Sequence, residues 1–250
     1  MTVTRHPSGR SYVSMVLEIA PPTVKRVRTG QTVGIDFGIN RVATLSTGET
    51  IPNPRHLFQR TTLLARAQRR LMRKQKGSHR RLAQARRVAR LHEKIADARR
   101  DSLHKLSTSL VRRFDTIYLE DLHLRGLVQN HHLARSLSDA SIGTAIRLIE
   151  SKADTSSVSV VKIDRWFPSS KQCSACGHLL DVLPLGVRSW TCHSCGTDLD
   201  RDLNAARNIL AVGQTVSARG AGVRTARTSV RRATRCRSVN HSKVEHPVSS

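Results

Sequence analysis

The chain has 250 residues, and 43 Lys and Arg against 18 Asp and Glu give it a formal net charge of +25 and a pI near 11.5. Charge of this size is typical of proteins that bind a polyanion, most often nucleic acid. The N-terminus lacks the apolar region of a secretory signal, and no apolar run reaches the ~18 residues of a transmembrane helix. We therefore expect a cytoplasmic, nucleoid-associated protein without a membrane partner.

The first predicted element is a strand over residues 10–20. Val13, Met15, Leu17 and Ile19 alternate with other residues, which predicts a strand with one buried side. Almost no sequence precedes this strand, so it is expected to lack a neighbour with which to pair.

A strand–turn–strand pattern follows, and it contains an aspartate in its first strand. Residues 33–37 are apolar except for Asp36, and residues 42–45 return after a turn at 38–40. Aspartate is poor in strands and costly to bury unless it is paired or binds a metal. A turn-capping role for Asp36, two residues before Gly38, remains an alternative.

Residues 56–114 form a basic segment with helical periodicity. Between residues 60 and 113, 18 Lys and Arg face three acidic residues, a net +15. Leucines and alanines recur at helical spacing, and Gly77 and Ser78 interrupt them, so the segment is predicted to be a helical hairpin. Charge of one sign repels itself unless phosphates neutralise it, which favours nucleic acid as the partner of this surface.

The next predicted strand covers residues 116–119, and Glu120 and Asp121 lie at its carboxyl end. Ligands and catalytic groups favour the carboxyl ends of strands, although capping of the following segment would also explain these acids. A helix is expected next, with Ser138 or Asp139 as N-cap, followed by a strand over residues 157–168 that Pro168 stops.

Four cysteines have the spacing of a zinc ribbon. Cys173 and Cys176 form one Cys-x-x-Cys pair, and Cys192 and Cys195 form another fifteen residues later. Four thiolates complete a tetrahedral site, so a structural zinc is predicted and the adjacent histidines are not expected to be ligands. A glycine after each pair, at 177 and 196, would allow the chain to turn. Cys236 remains as an incidental thiol.

Three aspartates, at 198, 200 and 202, lead into a helix that is predicted to run to about residue 212. Capping explains one or two of these acids but not all three. Residues 213–250 lack periodicity and are expected to form a basic, disordered tail. A strand aspartate, a strand-end glutamate and a helix-start aspartate suggest hydrolysis of a phosphodiester with Mg²⁺ or Mn²⁺, because hard oxygen ligands suit these ions.

The segments GIDFGINRVATLS, IYLEDLHLRGL, DRWFPSSKQCSACG and CHSCGTDLDRDLNAARNIL resemble, in order and spacing, the transposon-encoded TnpB (OrfB) family. The resemblance implies an α/β, RNase H-like (RuvC) mixed sheet with flanking helices, made of residues 31–172 and 197–212, and a zinc ribbon at 173–196. It implies RNA-guided cleavage of DNA, with guide RNA from the transposon end. It assigns catalysis and divalent-cation binding to Asp36, Glu120 and Asp202, and makes Asp200 a neighbour.

The chain departs from the family pattern in two places. Residues 1–30 are expected to be a remnant of a longer N-terminal β domain, which puts guided targeting in question. Residues 141–144 replace a segment that contains tryptophan in the family. Two other functions remain as alternatives: a truncated nucleic-acid-binding protein or regulator without cleavage, and a strand-transferring transposase. The order Asp, Glu, Asp disfavours the transposase.

Overall fold

The computed structural model describes residues 1–17, 27–122 and 131–218, with the side chains of 131–133 and 135 left aside. Its main sheet has five strands in the order β5-β4-β3-β6-β7. The pairs β3–β4 and β4–β5 are antiparallel, whereas β3–β6 and β6–β7 are parallel. The mixed α/β sheet predicted from the sequence is thus confirmed. The strands are β3 (Thr32–Phe37), β4 (Arg41–Leu45), β5 (Thr50–Pro52), β6 (Thr116–Glu120) and β7 (Ser159–Ile163).

Helices cover both faces of this sheet in the described residues. The five are α1 (His56–Met72), α2 (His79–Arg113), α3 (His131–Ala140), α4 (Ile142–Ser156) and α5 (Arg201–Ala218). Side chains of α2, α3 and α4 pack with Ile117 and Leu119 on one face, and Ile209 of α5 packs with Tyr118 on the other. This follows from the alternation of side chains along β6, which sends neighbouring residues to opposite faces.

Helix α5 approaches the sheet closely at Gly34. A Cβ atom at this position would lie 2.3 Å from the backbone oxygen of Ala206 and 2.6 Å from the backbone nitrogen of Leu210. Only glycine lets the helix backbone come this near to β3.

Both helices expected in the basic segment are present, and they pack against each other. Ser78 caps α2 by accepting a 3.2 Å hydrogen bond from the backbone N–H of Arg81. The buried side chain of Gln84 donates to the backbone oxygen of Ala67 at 2.9 Å, which ties the two helices together.

The N-terminal strand differs from its prediction. It spans only Ser11–Ser14 (β2), it pairs antiparallel with β1 (Thr2–Arg5), and both strands are exposed. The expectation that this strand lacks a neighbour is wrong, because the preceding residues form β1 and pair with it. The predicted burial is also wrong, because no second layer among the described residues covers this hairpin. Polar contacts with α2 hold it instead, among them the Tyr12 hydroxyl donating to the buried Glu93. Ile19 lies outside the described residues.

The predicted N-cap at Ser138 or Asp139 is also wrong, because both residues belong to α3. The helix is interrupted at Ser141, which has φ 51°, and α4 starts at Ile142. Asp139 caps a different helix: its oxygens accept the N–H of Leu57 at 3.1 and 3.2 Å, and Arg99 donates to it at 2.8 Å. A tertiary contact therefore takes the carboxylate that local spacing assigned to its own helix.

The observed ends of β7 and α5 differ from the predicted ones. Strand β7 ends at Ile163, before Pro168, because residues 164–167 turn through a 3.2 Å hydrogen bond from Phe167 N–H to the oxygen of Asp164. Helix α5 continues to Ala218, so the disordered tail expected from residue 213 is wrong for residues 213–218. At Gly213 the helix passes close to Tyr118, because a Cβ atom there would lie 2.1 Å from the ring. The later residues, including Cys236, lie outside the described part. No helix of that part is long and apolar enough to span a bilayer.

Candidate active site and cysteine cluster

Asp36, Glu120 and Asp202 line one cleft of about 420 Å³. They come from three elements that are distant in sequence: β3, the last residue of β6 and the first turn of α5. The structure therefore brings together the three carboxylates predicted from the sequence. Their catalytic roles stay predictions.

The sheet register explains why Asp36 and Glu120 meet. Ile35 pairs with Leu119 in the parallel β3–β6 ladder, so Asp36 and Glu120, which follow them, lie side by side on adjacent strands. The carboxyl ends of adjacent parallel strands share one edge of a sheet, which is where such folds place ligands. Asp36 is half-buried and belongs to the strand, so the turn-capping alternative does not describe it.

Asp202 reaches the same cleft because α5 starts there. Asp200 acts as the helix cap: its Oδ1 accepts the backbone N–H groups of Asp202 at 3.1 Å and Leu203 at 3.0 Å. Two arginines approach the Asp202 carboxylate, Arg188 at 3.4 Å from Oδ1 and Arg41 at 3.8 Å from Oδ2. Asp200 therefore caps the helix, whereas the side chain of Asp202 lines the cleft.

The cleft raises the pKa values of two carboxyl groups. Burial, followed by repulsion from Asp202 and Glu120, raises the pKa of Asp36 from 3.8 to about 8. Burial also raises the pKa of Glu120 to about 6. Without a cation, Asp36 thus disfavours its ionised form, and a bound cation would relieve the repulsion from Asp202 and Glu120.

Cations line the rim of the cleft beside the acids. Lys171 donates to the backbone oxygen of Asp181 at 2.8 Å, and Arg201 donates to that of Pro184 at 2.8 Å. Peptide oxygens carry no full charge, so these hydrogen bonds leave both positive charges able to attract phosphate. Arg165 differs because it forms an ion pair with Asp121.

Two asparagines in α5 were missed by the sequence analysis. Asn204 and Asn208 are buried, and their side-chain amides donate to the backbone oxygens of Ser169 (3.4 and 2.8 Å) and Gln172 (2.7 and 2.6 Å). Asn204 also accepts the N–H of Ser174 at 2.8 Å. The pair thus joins α5 to the cleft wall and to the first cysteine turn. Two asparagines four residues apart on an otherwise apolar face were the available signal.

The four predicted cysteines form a compact cluster beyond the cleft. Their four Sγ atoms lie within 4.8 Å of one another, a separation that suits a single metal ion; the cysteines are Cys173, Cys176, Cys192 and Cys195. Gly177 and Gly196 have φ values of 79° and 71°, so both turns use the left-handed conformation that glycine favours. A small sheet flanks the second cysteine pair, with β8 (Ser189–Thr191) before it and β9 (Asp198–Asp200) after it, directly before α5.

The basic surface of α1 and α2 contains three acidic residues, and each of them lies near a basic side chain. Glu93 and Asp97 approach Arg10 at 3.6 and 3.9 Å, and Asp101 pairs with Lys105 at 2.7 Å. These are the three acids of residues 60–113, so the surface keeps its positive charge.

Comparison with protein families matches two parts of the chain. Residues 14–131 match the OrfB family model, described as "Probable transposase", and residues 143–209 match the model described as "Cas12f1-like, TNB domain". A solved structure titled as a CRISPR-Cas12f ternary complex aligns with 77% of this chain and 41% of its own, at a TM-score of 0.55 and 19% identity. At this identity the likeness concerns the fold alone.

Two curated relatives cover nearly the whole chain. A protein of Streptomyces pristinaespiralis named "Putative RNA-guided DNA endonuclease" is 49% identical over 92% of this chain and 57% of its own length. A Mycobacterium tuberculosis protein with the same description is 34% identical over 84% of this chain and 47% of its own. The chain thus spans about half the length of these relatives. On these matches, the chain belongs to the OrfB (TnpB-like) family.

Proposed function

We propose that the protein is a transposon-associated, RNA-guided DNA endonuclease that hydrolyses phosphodiester bonds with divalent cations. One observation carries the proposal: Asp36, Glu120 and Asp202 converge in a cleft whose rim is cationic. The names of the two relatives support guidance by RNA and DNA as the substrate. A guide from the transposon end follows from the family resemblance.

The residues of the cleft fit Mg²⁺ or Mn²⁺. Carboxylate oxygens are the hard ligands that these ions prefer, and the repulsion that raises the Asp36 pKa is what a cation would neutralise. Asp36, Glu120 and Asp202 would hold the ions. Bound there, divalent cations would supply an activated water and charge stabilisation for the leaving oxygen.

The chain's own groups would position the nucleic acid. Lys171 and Arg201 attract the backbone phosphates towards the cleft, and the basic surface of α1 and α2 holds the strand or its guide at longer range. Asp36 and Glu120 must be ionised to act as ligands, so their raised pKa values favour activity at neutral to alkaline pH.

The finer architecture belongs to the same proposal. The strand order, with two antiparallel and two parallel pairings, supports an RNase H-like (RuvC) core in which α1 and α2 form an inserted helical hairpin. The cysteine cluster supports a structural zinc ribbon, because four thiolates are soft ligands suited to that ion. The sulfur ligands of the cluster therefore favour zinc, whereas the carboxylate oxygens of the cleft favour Mg²⁺ or Mn²⁺.

The test is DNA cleavage by the purified chain with Mg²⁺ and its copurified or transposon-end RNA. We expect cutting that Asp36→Asn abolishes and that Asp181→Asn, an exposed change in the cysteine-rich segment, leaves intact. Binding with a steep salt dependence but without cutting would favour the alternative of a non-cleaving nucleic-acid-binding protein.

A further inference from the structure

Trp166 is exposed in an unusual place. Its side chain lines the cleft that holds Asp36, Glu120 and Asp202, yet the residue is 84% exposed. The chain has only two tryptophans, and the other, Trp190, is half-buried beside the cysteine cluster. A large aromatic ring left in water at a catalytic cleft favours a partner with a flat apolar face.

The backbone around Trp166 is held in place. Its N–H donates to Oδ1 of Asp164 at 3.0 Å, within the turn that ends β7. The next residue, Phe167, packs with Tyr118, Ile163 and Ile209 under the sheet. Ser169, two residues further on, is bound by the asparagines of α5. The ring is therefore presented from a segment that is anchored on both sides.

The charges around the ring identify its partner. Lys171 and Arg201 line the same cleft, and their hydrogen bonds to peptide oxygens leave their charges available to phosphate. A ring flanked by cations is the combination that binds single-stranded nucleic acid, in which bases stack on aromatic groups while cations contact the backbone. In a duplex the flat faces of the bases are already covered by their neighbours.

We propose that Trp166 is a stacking platform for an unpaired base next to the phosphate in the cleft. The inference rests on the proposed function, because it takes the bound strand to be the nuclease's substrate. Trp166 would position that strand and take no part in bond cleavage.

The test is binding of a short labelled single-stranded DNA to the full chain without Mg²⁺ and without chelator, so that the metal at the cysteines is retained. We expect Trp166→Ala to weaken binding by about five- to a hundredfold, and Trp166→Phe by less. The same strand with abasic sites removes the base and should bind the wild type and Trp166→Ala equally. Val182→Ala, an exposed apolar residue outside both the cleft and the basic helices, is the control and should keep its affinity.

Fluorescence provides a second readout. Stacking should quench Trp166 emission when the strand saturates the wild type, and the quenching that remains in Trp166→Phe reports on Trp190. Absence of binding, equal losses with normal and abasic strands, or unchanged emission at saturation would each overturn the proposal.

The stacking and nuclease proposals fail separately. A chain that binds through Trp166 but never cuts DNA contradicts the nuclease function alone. A chain that cuts, and whose affinity is unchanged by Trp166→Ala, contradicts the stacking platform alone.

Discussion

The carboxylate cleft and the cysteine cluster both gather metal-ligand side chains, but they are built in opposite ways. The cysteines come from residues 173–195 and meet through two local turns. The carboxylates come from residues 36, 120 and 202 and meet only when β3, β6 and α5 are assembled. The cluster is therefore a property of a short segment, whereas the cleft is a property of the whole fold. Asn204 connects them, since it bonds both the cleft wall and the first cysteine turn.

The largest expected effect comes from removing a carboxylate. Asp36→Asn should lower cleavage by about a hundredfold or more, as loss of a preorganised electrostatic group does in other enzymes. The same change removes a carboxyl group whose ionised form is disfavoured by burial and by repulsion from Asp202 and Glu120, so the fold should not be weakened. Cleavage kinetics and thermal melts measure the two effects. Reduced melting temperature together with lost activity would show that Asp36 has a structural role instead.

Opening the cysteine cluster should affect the cleft at a distance. In Cys176→Ser we expect loss of bound zinc and of most cleavage, while circular dichroism shows the sheet still folded. The reason is that the cluster is joined to α5 through Asn204 and through the backbone hydrogen bond from Arg201 N–H to Arg188. Cys236→Ser is the control and should retain both zinc and activity. Simultaneous loss of activity and of the whole fold would contradict the separation of the two regions.

A smaller effect is expected from the asparagines that join the regions. Asn208→Ala should destabilise the protein by about 1–3 kcal/mol, because buried peptide oxygens lose a donor. Cleavage should fall by about tenfold if the wall of the cleft shifts, as for outer-shell partners of catalytic groups. Denaturant unfolding and cleavage rates measure this, with the exposed Gln214→Ala on the same helix as control. Full activity in Asn208→Ala would show that the cleft wall is held without it.

A pH dependence of stability is also expected without Mg²⁺. Asp36 has a folded pKa of about 8 against an ordinary value of 3.8, so the folded state retains a proton that the unfolded chain releases. Its contribution to stability is therefore complete below about pH 4 and is lost as the pH rises through about 8. Melting temperatures should fall across this window, and Asp36→Asn or added Mg²⁺ should reduce the fall. An unchanged slope in Asp36→Asn would assign it to other groups.

The two regions also differ in how far the sequence predicts them. Local spacing was enough to find the cysteines, and polar residues in strands were enough to find Asp36 and Glu120. Choosing Asp202 over Asp200 needed the family resemblance, and the structure adds the reason, which is that Asp200 is used as a helix cap. Local patterns could not reveal that Asp139 caps α1 or that Asn204 and Asn208 bond the cleft wall, because those partners lie far away in the chain.

The absence of a side chain at Gly34 limits the distance between β3 and α5, and with it the width of the cleft. Because the backbone of α5 fills the space where a Cβ would stand, the helix and β3 lie at the smallest separation that two backbones allow there. Asp36 is two residues further along that strand, and Asp202 begins that helix. Any larger residue at position 34 would move the two carboxylates apart, so one missing methyl group sets the width of the opening available to a phosphate.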